Sequence, residues 1–413
     1  MIRACFEAYN YRPSRGEPLK ILSQHFRAKG QNESACLLAE EIAVMEYPGD
    51  LLFVERGVYD FGADQEFAIA GFYSKVPQRR QEGHRACARL TTCFYADVRE
   101  EARRNFVHYA KSVKDLFGAD VRAIGWKPSD GYAPMNPSVC VSGSRRLVLV
   151  RTINYTIADG QYPTIDGSGI IRTHNHVLEM DEGWKVKSAA EIVDVSGVPK
   201  TSFPVEGFED CRLWVSPTGE FRASCTVRDL TEHGHCQMAI VTLDSEWRAT
   251  GVNVVRDYEG DRTQKNWMPI AGEPYSFVYL CDPTVVIQCR KEGTTETRRS
   301  GPSEYLADLR GGSQVIAVDG GWIAITHEVA WCPHRVYLHR FVGFDPQFHA
   351  VAVSDPFYFE RVGIEFCAGL ARDGQKLVAS FGVNDASAHL AFFDEAAVVA
   401  ALRPLQRVSE TQR

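Results

Sequence analysis

No run in this 413-residue sequence is apolar for long enough to cross a membrane as a helix, and the opening Met1-Ile2-Arg3-Ala4-Cys5 lacks the apolar core of a signal peptide. A cytoplasmic protein without a membrane span is therefore expected. Paired cysteines are missing as well. The 12 cysteines are scattered singly, with no Cys-x-x-Cys and no Cys/His cluster at zinc spacing, so they read as reduced, mostly buried thiols rather than as a disulfide framework or a metal centre. His174 and His176 alternate along one strand face without a third ligand. A basic excess is also absent. With a net charge of −7 and a pI near 6.0, the chain carries no electrostatic footprint of a nucleic-acid binder.

What is present is an ordinary globular composition, 45% hydrophobic and 24% charged, with an aromatic share of 11% that suits sheets and sugar-binding clefts. The length suggests about two or three domains. From Ser14 to residue 117 apolar residues recur at three and four: Leu19, Leu22, Phe26, then Cys36, Leu37, Ala39, Ile42 and Ala43. Lys29-Gly30-Gln31-Asn32 and Tyr47-Pro48-Gly49-Asp50 interrupt the pattern, and Asp64-Gln65-Glu66 opens a third helix on Phe67, Ala68, Phe72 and Tyr73. Two more helices are expected over 81–93 and 97–111, where small Ala86 and Ala88 alternate with larger residues as in stacked helix pairs. Residues 1–118 thus read as a helical repeat domain that supplies packing, a protein partner's contact or self-association, with no catalytic residue. The stretch Tyr11 to Leu19, with Asp50 to Glu55 and Tyr59, resembles tetratricopeptide-like segments attached to bacterial glycosyltransferases.

After Lys114-Asp115-Leu116-Phe117-Gly118 the period changes to two, and short strands alternate with Gly, Pro and Asp turns. Asp319-Gly320 and Asp373-Gly374 are tight-turn signals, and no strand–helix alternation appears. Five polar starts each precede an apolar hairpin: Asn136-Pro137-Ser138, Gly207 to Arg212, Lys265-Asn266-Trp267, Arg310 to Gln314 and Gly363-Ile364-Glu365. Five starts imply five blades, whose innermost strands would carry these residues to one axial funnel. The expected architecture is therefore an α+β multidomain chain: helical repeats over 1–118, an all-β five-bladed propeller over 119–400, and a flexible tail over 401–413.

The chemistry centres on Gly207-Phe208-Glu209-Asp210-Cys211-Arg212-Leu213-Trp214, where a hairpin with its turn at Pro217-Thr218-Gly219 begins. A Glu209-Asp210 pair followed by Arg212 can hold one carboxylate ionised while the other carries a proton, or it can simply close a strand end with a salt bridge. Inverting glycosyl transfer needs an acid for the leaving oxygen, which Asp210 can supply, and a nucleophile on the other ring face. A phosphate nucleophile would require cations, with Arg212, Lys265 and Arg310 as candidates. Water would require a carboxylate base, with Glu328 and Glu365 as candidates. Trp267, Trp322, Tyr155 and Trp331 can stack on sugar faces or fill blade cores, and Arg151 beside Asn154, like Lys265 beside Asn266, reads as turned toward a polar cavity.

Over residues 125–400 the chain resembles the five-bladed enzymes of glycoside hydrolase family 130, the β-1,2-mannoside phosphorylases and mannosidases, and the related β-mannosyltransferases. The motifs fall in family order: Asn136-Pro137-Ser138 with Arg151, Gly207 to Arg212, Lys265-Asn266 with Pro269, Gly320-Gly321-Trp322 leading to His327 and Tyr337, and Ser380 to Asp385. The resemblance implies Asp210 as general acid acting through a sugar hydroxyl. It implies Asn136, Arg151 and Asp385 as sugar-holding residues, and Arg212, Lys265, His327 and Tyr337 as phosphate ligands. Cys211 stands where the family has proline, and Glu328 follows His327 in place of glycine. The expected activity is glycosyl transfer on a mannose-containing oligosaccharide or mannosyl donor. Inorganic phosphate or a nucleotide-sugar would serve as co-substrate, with no metal or other cofactor. A hydrolase on the same fold and a non-catalytic glycan- or protein-binding propeller are the alternatives.

Overall fold

Two compact units divide the chain, one of Met1–Ala110 with Ala330–Cys332, the other of Lys111–Val329 with Pro333–Arg413. The computed structural model describes residues 1–405 apart from Leu51, Asp159, 256–262, Pro274, 290–294, 301–305 and Ala307, with Thr295–Ser300 described as backbone only. The expected tail over 401–413 lies outside the described residues from 406 onward.

The first unit is helical. Glu17–Ala28, Asn32–Ala43, Ala63–Tyr73, Pro77–Leu90 and Ala96–Phe106 each pack on the helix before. Leu19, Leu22, Leu38, Ile42 and Val58 form one apolar cluster, and Ala35, Cys36, Ala39, Phe67, Ala70 and Ala86 form a second. Small residues dominate the second because two helices touch there backbone to backbone. A Cβ on Gly83 would fall 2.9 Å from Gly71 Cα.

The second unit is mostly β, with its sheets in a propeller arrangement. Among the described residues there are five sheets. Sheet I runs Ala133–Ser142, Arg145–Ile153, Ile171–Met180, Val186–Glu191, and sheet II runs Glu209–Val215, Phe221–Val227, Gln237–Leu243, Ala249–Val254. Sheet III runs Met268–Pro269, Ser276–Cys281, Thr284–Cys289, Thr295–Ser300. Sheet IV is built on Arg310–Gly311, Ile316–Val318, Gly321–Trp331, Arg335–Phe344 and Ala350–Val353. Sheet V comprises Glu365–Asp373, Lys376–Val383, Ser387–Asp394 and, on its outer edge, Asp120–Ala123 from the start of the unit. An early and a late segment of the unit thereby share one sheet, which closes the ring.

The first strands of neighbouring sheets meet at the axis: sheet V against sheet I, sheet I against sheet II, and sheet II against sheet III. Gln314, on the innermost segment of sheet IV, completes the contact. Its buried Nε2 donates to Ser138 Oγ at 3.0 Å, Val139 O at 3.0 Å and Leu213 O at 2.7 Å, and its Oε1 accepts from Leu370 N at 2.8 Å. One amide thus joins sheets I, II, IV and V, satisfying backbone groups that water cannot reach.

Turn chemistry sets the hairpins. Gly219, Gly320 and Gly374 take positive φ between paired strands, as the short turns at those positions require.

Candidate functional site

The candidate site is made by backbone strain repeated from sheet to sheet. Asn136, Asp210, Asn266 and Asp385 all have positive φ, at 41°, 49°, 62° and 51°. Asn136 and Asp210 lie within register shifts of their strands, between Met135 and Ser138 and between Glu209 and Arg212. An extra residue on one strand re-aims its side chain, and Asn and Asp tolerate the left-handed region better than other non-glycine residues. Such conformations still cost about 1–3 kcal/mol each and cluster at functional sites. At Gly382 the neighbouring strand comes so close that a Cβ would fall 2.4 Å from Asn136 Oδ1.

The acid pair does not work as its local sequence suggests. Asp210 Oδ1 accepts from Asn136 Nδ2 at 2.8 Å and from Arg151 Nη1 at 2.9 Å, so its cationic partner is Arg151 and not Arg212. Burial by itself would raise the Asp210 carboxyl, but the Arg151 charge and the Asn136 hydrogen bond outweigh it and hold the group below the usual carboxylate range. Asp385 is its counterpart. Its Oδ2 accepts from Tyr155 Oη at 3.0 Å, and burial, reinforced by the Asp210 charge and opposed by Arg151, raises its carboxyl. The site thus holds one carboxylate biased toward the anion and one biased toward the acid. Glu209 Oε2 stands 3.8 Å from Arg151 Nη2 and 3.9 Å from Lys265 Nζ, between two cations. Lys265 keeps 41% of its side chain exposed and, although burial acts to lower it, the Glu209 charge raises its pKa.

Several expected ligands serve the fold instead. Arg212 is fully buried. Its Nε donates to Gly312 O at 2.7 Å, Nη1 to Asp210 O at 2.8 Å and Nη2 to Asn266 Oδ1 at 3.2 Å, so its fork is engaged by neutral acceptors. Asn154 is spent on backbone, donating to Ile170 O at 2.9 Å and accepting from Arg172 N at 2.7 Å. Trp267 is blade core, 1% exposed, with Nε1 donating to Gln264 Oε1 at 3.2 Å and its ring against Phe277 and Tyr279. Glu328 is buried, its Oε1 3.3 Å from Nη2 of the fully buried Arg340. Glu365 caps a loop, accepting from the backbone N–H groups of Phe359, Glu360 and Arg361 at 2.6, 2.8 and 2.9 Å. Both carboxylates are thus engaged within the fold. His327 is buried, and desolvation holds its imidazole well below its ordinary value, so it is a neutral group and not a cationic phosphate ligand.

His327 stacks on Tyr337 with centroids 5.3 Å apart, and Arg310 is its cross-strand partner in sheet IV. Arg310 is exposed and has no carboxylate partner among the described residues. The site also contains residues that sequence reasoning missed. Arg335 lies over the Tyr337 ring at 5.5 Å, and Tyr337, Tyr162 and Asp385 all favour its charged form. The alternation Arg335-Val336-Tyr337 could have revealed it, since residues two apart share a strand face. Thr173, whose Oγ1 takes Arg151 Nε and Nη2 at 3.3 and 3.2 Å, had no sequence signal.

No protein-family model and no curated protein matches the chain. Solved structures that share its arrangement include a glycosyl hydrolase from Bacteroides ovatus, at 13% identity and TM-score 0.49, covering 67% of this chain and 87% of that one. A β-1,2-mannobiose phosphorylase from Listeria innocua matches at 13% identity and TM-score 0.45, over 71% of this chain and 98% of that one. A structure from the GH130 family of mannoside phosphorylases, reported to contain glycoside hydrolases that target β-1,2-mannosidic linkages, matches at 14% identity and TM-score 0.46, over 67% and 87%. At these values the function has to be argued from the chain's own site.

Proposed function

We propose that this chain is an inverting carbohydrate-active enzyme on a five-bladed propeller, a phosphorylase or mannosyltransferase acting on β-linked mannosides. The single observation behind this reading is the carboxylate of Asp210, fixed by Asn136 and Arg151 through Oδ1 and facing a cation-rich funnel while its other oxygen receives no hydrogen bond from the described residues. The ordered motif set and its likeness to mannoside-acting enzymes support the substrate class.

Asp210 acts as the acid for the leaving oxygen, relayed through a sugar hydroxyl. At rest it is ionised, so it must gain a proton when the reaction partner binds. An incoming phosphoryl anion supplies the means, because a nearby negative charge raises a carboxyl pKa. Asn136, Asp385 and Tyr155 hold sugar hydroxyls, Glu209 keeps Lys265 and Arg151 in place, and Lys265 meets the anion. Inorganic phosphate or a nucleotide-sugar is the co-substrate, and no further cofactor is invoked. With Glu328 and Glu365 occupied elsewhere, the hydrolase reading loses both of its candidate bases.

Incubating the protein with β-mannosides, mannose 1-phosphate and GDP-mannose, with and without phosphate, separates the readings. Release of sugar phosphate or nucleotide is expected. Phosphate-independent release of free mannose would make the chain a hydrolase, and glycan binding without turnover would make it a binding propeller.

A further inference from the structure

A phosphoryl group carries two negative charges near neutral pH, and the two groups best placed by sequence to neutralise it are compromised. Arg212 is enclosed by neutral acceptors and His327 is uncharged. Sheet IV offers the missing charge. Across its strands runs a row of four side chains: Arg310 opposite His327 in register, His327 stacked on Tyr337, and the Arg335 guanidinium 5.5 Å over the Tyr337 ring. Among the described residues neither Arg310 nor Arg335 has a carboxylate within ion-pair distance. Between them lies the buried His327, whose Nδ1 has no hydrogen-bond partner among the described residues.

Two guanidinium forks with no close carboxylate among the described residues, set around a phenol, leave charged donors facing the funnel. Guanidinium forks match phosphoryl oxygens two at a time, which a lysine ammonium does not. Resting on the proposed function, we infer that Arg310 and Arg335 clamp a phosphoryl group over Tyr337, making sheet IV the anion-recognising wall of the funnel. Arg151 then serves the carboxylates on the opposite side, while Lys265, held by Glu209, meets the same anion from across the funnel. Inorganic phosphate, a sugar phosphate and a nucleotide-sugar present the same chemistry to this clamp.

The test is calorimetric titration of the full chain, its Arg335→Met, Arg310→Met and Arg335→Lys variants, with inorganic phosphate, mannose 1-phosphate, GDP-mannose and an uncharged β-mannobiose. Each methionine variant should lose phosphoryl affinity by about tenfold or more, since a charge-assisted hydrogen bond is removed, and leave β-mannobiose affinity within about twofold. Arg335→Lys should lie between, and is the variant to rely on if Arg335→Met does not fold. The strongest of the three phosphoryl probes identifies the source. Unchanged phosphoryl affinity in these variants, a parallel loss for β-mannobiose, or no phosphoryl binding by the unaltered chain would each overturn the clamp. If phosphoryl ligands bind and respond to Arg335 while β-mannobiose does not bind at all, the clamp stands and the mannoside reading falls.

Discussion

At the level of single residues, charge and burial separate groups that act from groups that hold. Asp210→Asn keeps the shape and the acceptor for Asn136 and Arg151 but removes the proton a leaving oxygen needs. Turnover should fall by about 10²–10⁴. A mannoside with a low-pKa aryl leaving group should recover part of the loss, because it needs less protonation. A drop that tracks unfolding and shows no aryl rescue would reduce Asp210 to a strut for Arg151. His339 presents the opposite case, a buried imidazole packed against Phe357 and Phe359, near His327, with both ring nitrogens unpartnered among the described residues. Desolvation lowers its pKa from 6.5 to about 3. The folded-state value is depressed, so between pH 6.5 and 3 the unfolded chain binds a proton that the folded chain refuses, and stability declines as pH falls through that window. The slope contributed is at most about 1.4 kcal/mol per pH unit. His339→Phe should flatten the acid limb of a urea-denaturation series from pH 7 to 4, and an unchanged limb would show that His339 is not what titrates.

Among elements, local rules were readable and long-range ones were not. Pro217-Thr218-Gly219 and Asp373-Gly374 announced their hairpins because a tight turn depends on the residues within it. The spacing of Leu19, Leu22 and Ile42 announced their helices for the same reason. The polar starts of the inner strands were legible as a set, but not which of them would reach the funnel. Arg212 lies two residues from Asp210 and reads as its partner, whereas the guanidinium that pairs with it belongs to Arg151, 59 residues earlier. Glu328 reads as a free base until Arg340 on the next strand is known, and Glu365 until the loop that it caps is known. Close backbone approach is another tertiary fact hidden in single letters. Gly83→Ala would place a Cβ 2.7 Å from Tyr109 Oη and 2.9 Å from Gly71 Cα, forcing apart the helices Ala63–Tyr73 and Pro77–Leu90. Urea melts should show a loss of about 1–3 kcal/mol. Gly49→Ala, with nothing within 4 Å, should be close to neutral, and equal effects for the two would remove the close-approach account.

For the whole second unit, stability and site are joined by the way the ring closes. Sheet V takes three strands from the end of the unit and its outermost strand, Asp120–Ala123, from the beginning, with Val121 opposite Ala391 and Arg122 lying 4.9 Å over the Phe392 ring. Asp385 stands in the turn between the two middle strands of this sheet, so the position of one candidate carboxylate depends on a pairing between chain segments about as far apart as the unit allows. Ile124 N donates to Ala388 O at 2.9 Å, so two residues earlier it is Arg122 whose N–H faces Leu390 in the ladder. A proline at Arg122 removes that donor, at a cost of about 3 kcal/mol or more in regular structure. Arg122→Pro should therefore lower the melting temperature by several degrees, at about 2–4 °C per kcal/mol for a domain of this order. It should also expose the unpaired edge of Ser387–Asp394, which raises the tendency to associate. Asn253→Pro is the matched comparison, in a hydrogen-bonded pair with Ile240 on the outermost strand of sheet II, whose outer side meets the described chain only in a short bridge of Ala249 with Asp194. If ring closure is what couples the ends, Arg122→Pro should lose glycan binding and show larger species in light scattering, while Asn253→Pro should lose stability alone. Equal melting losses with glycan binding retained in both would mean that Asp120–Ala123 is an ordinary edge strand and that Asp385 is held by sheet V without it.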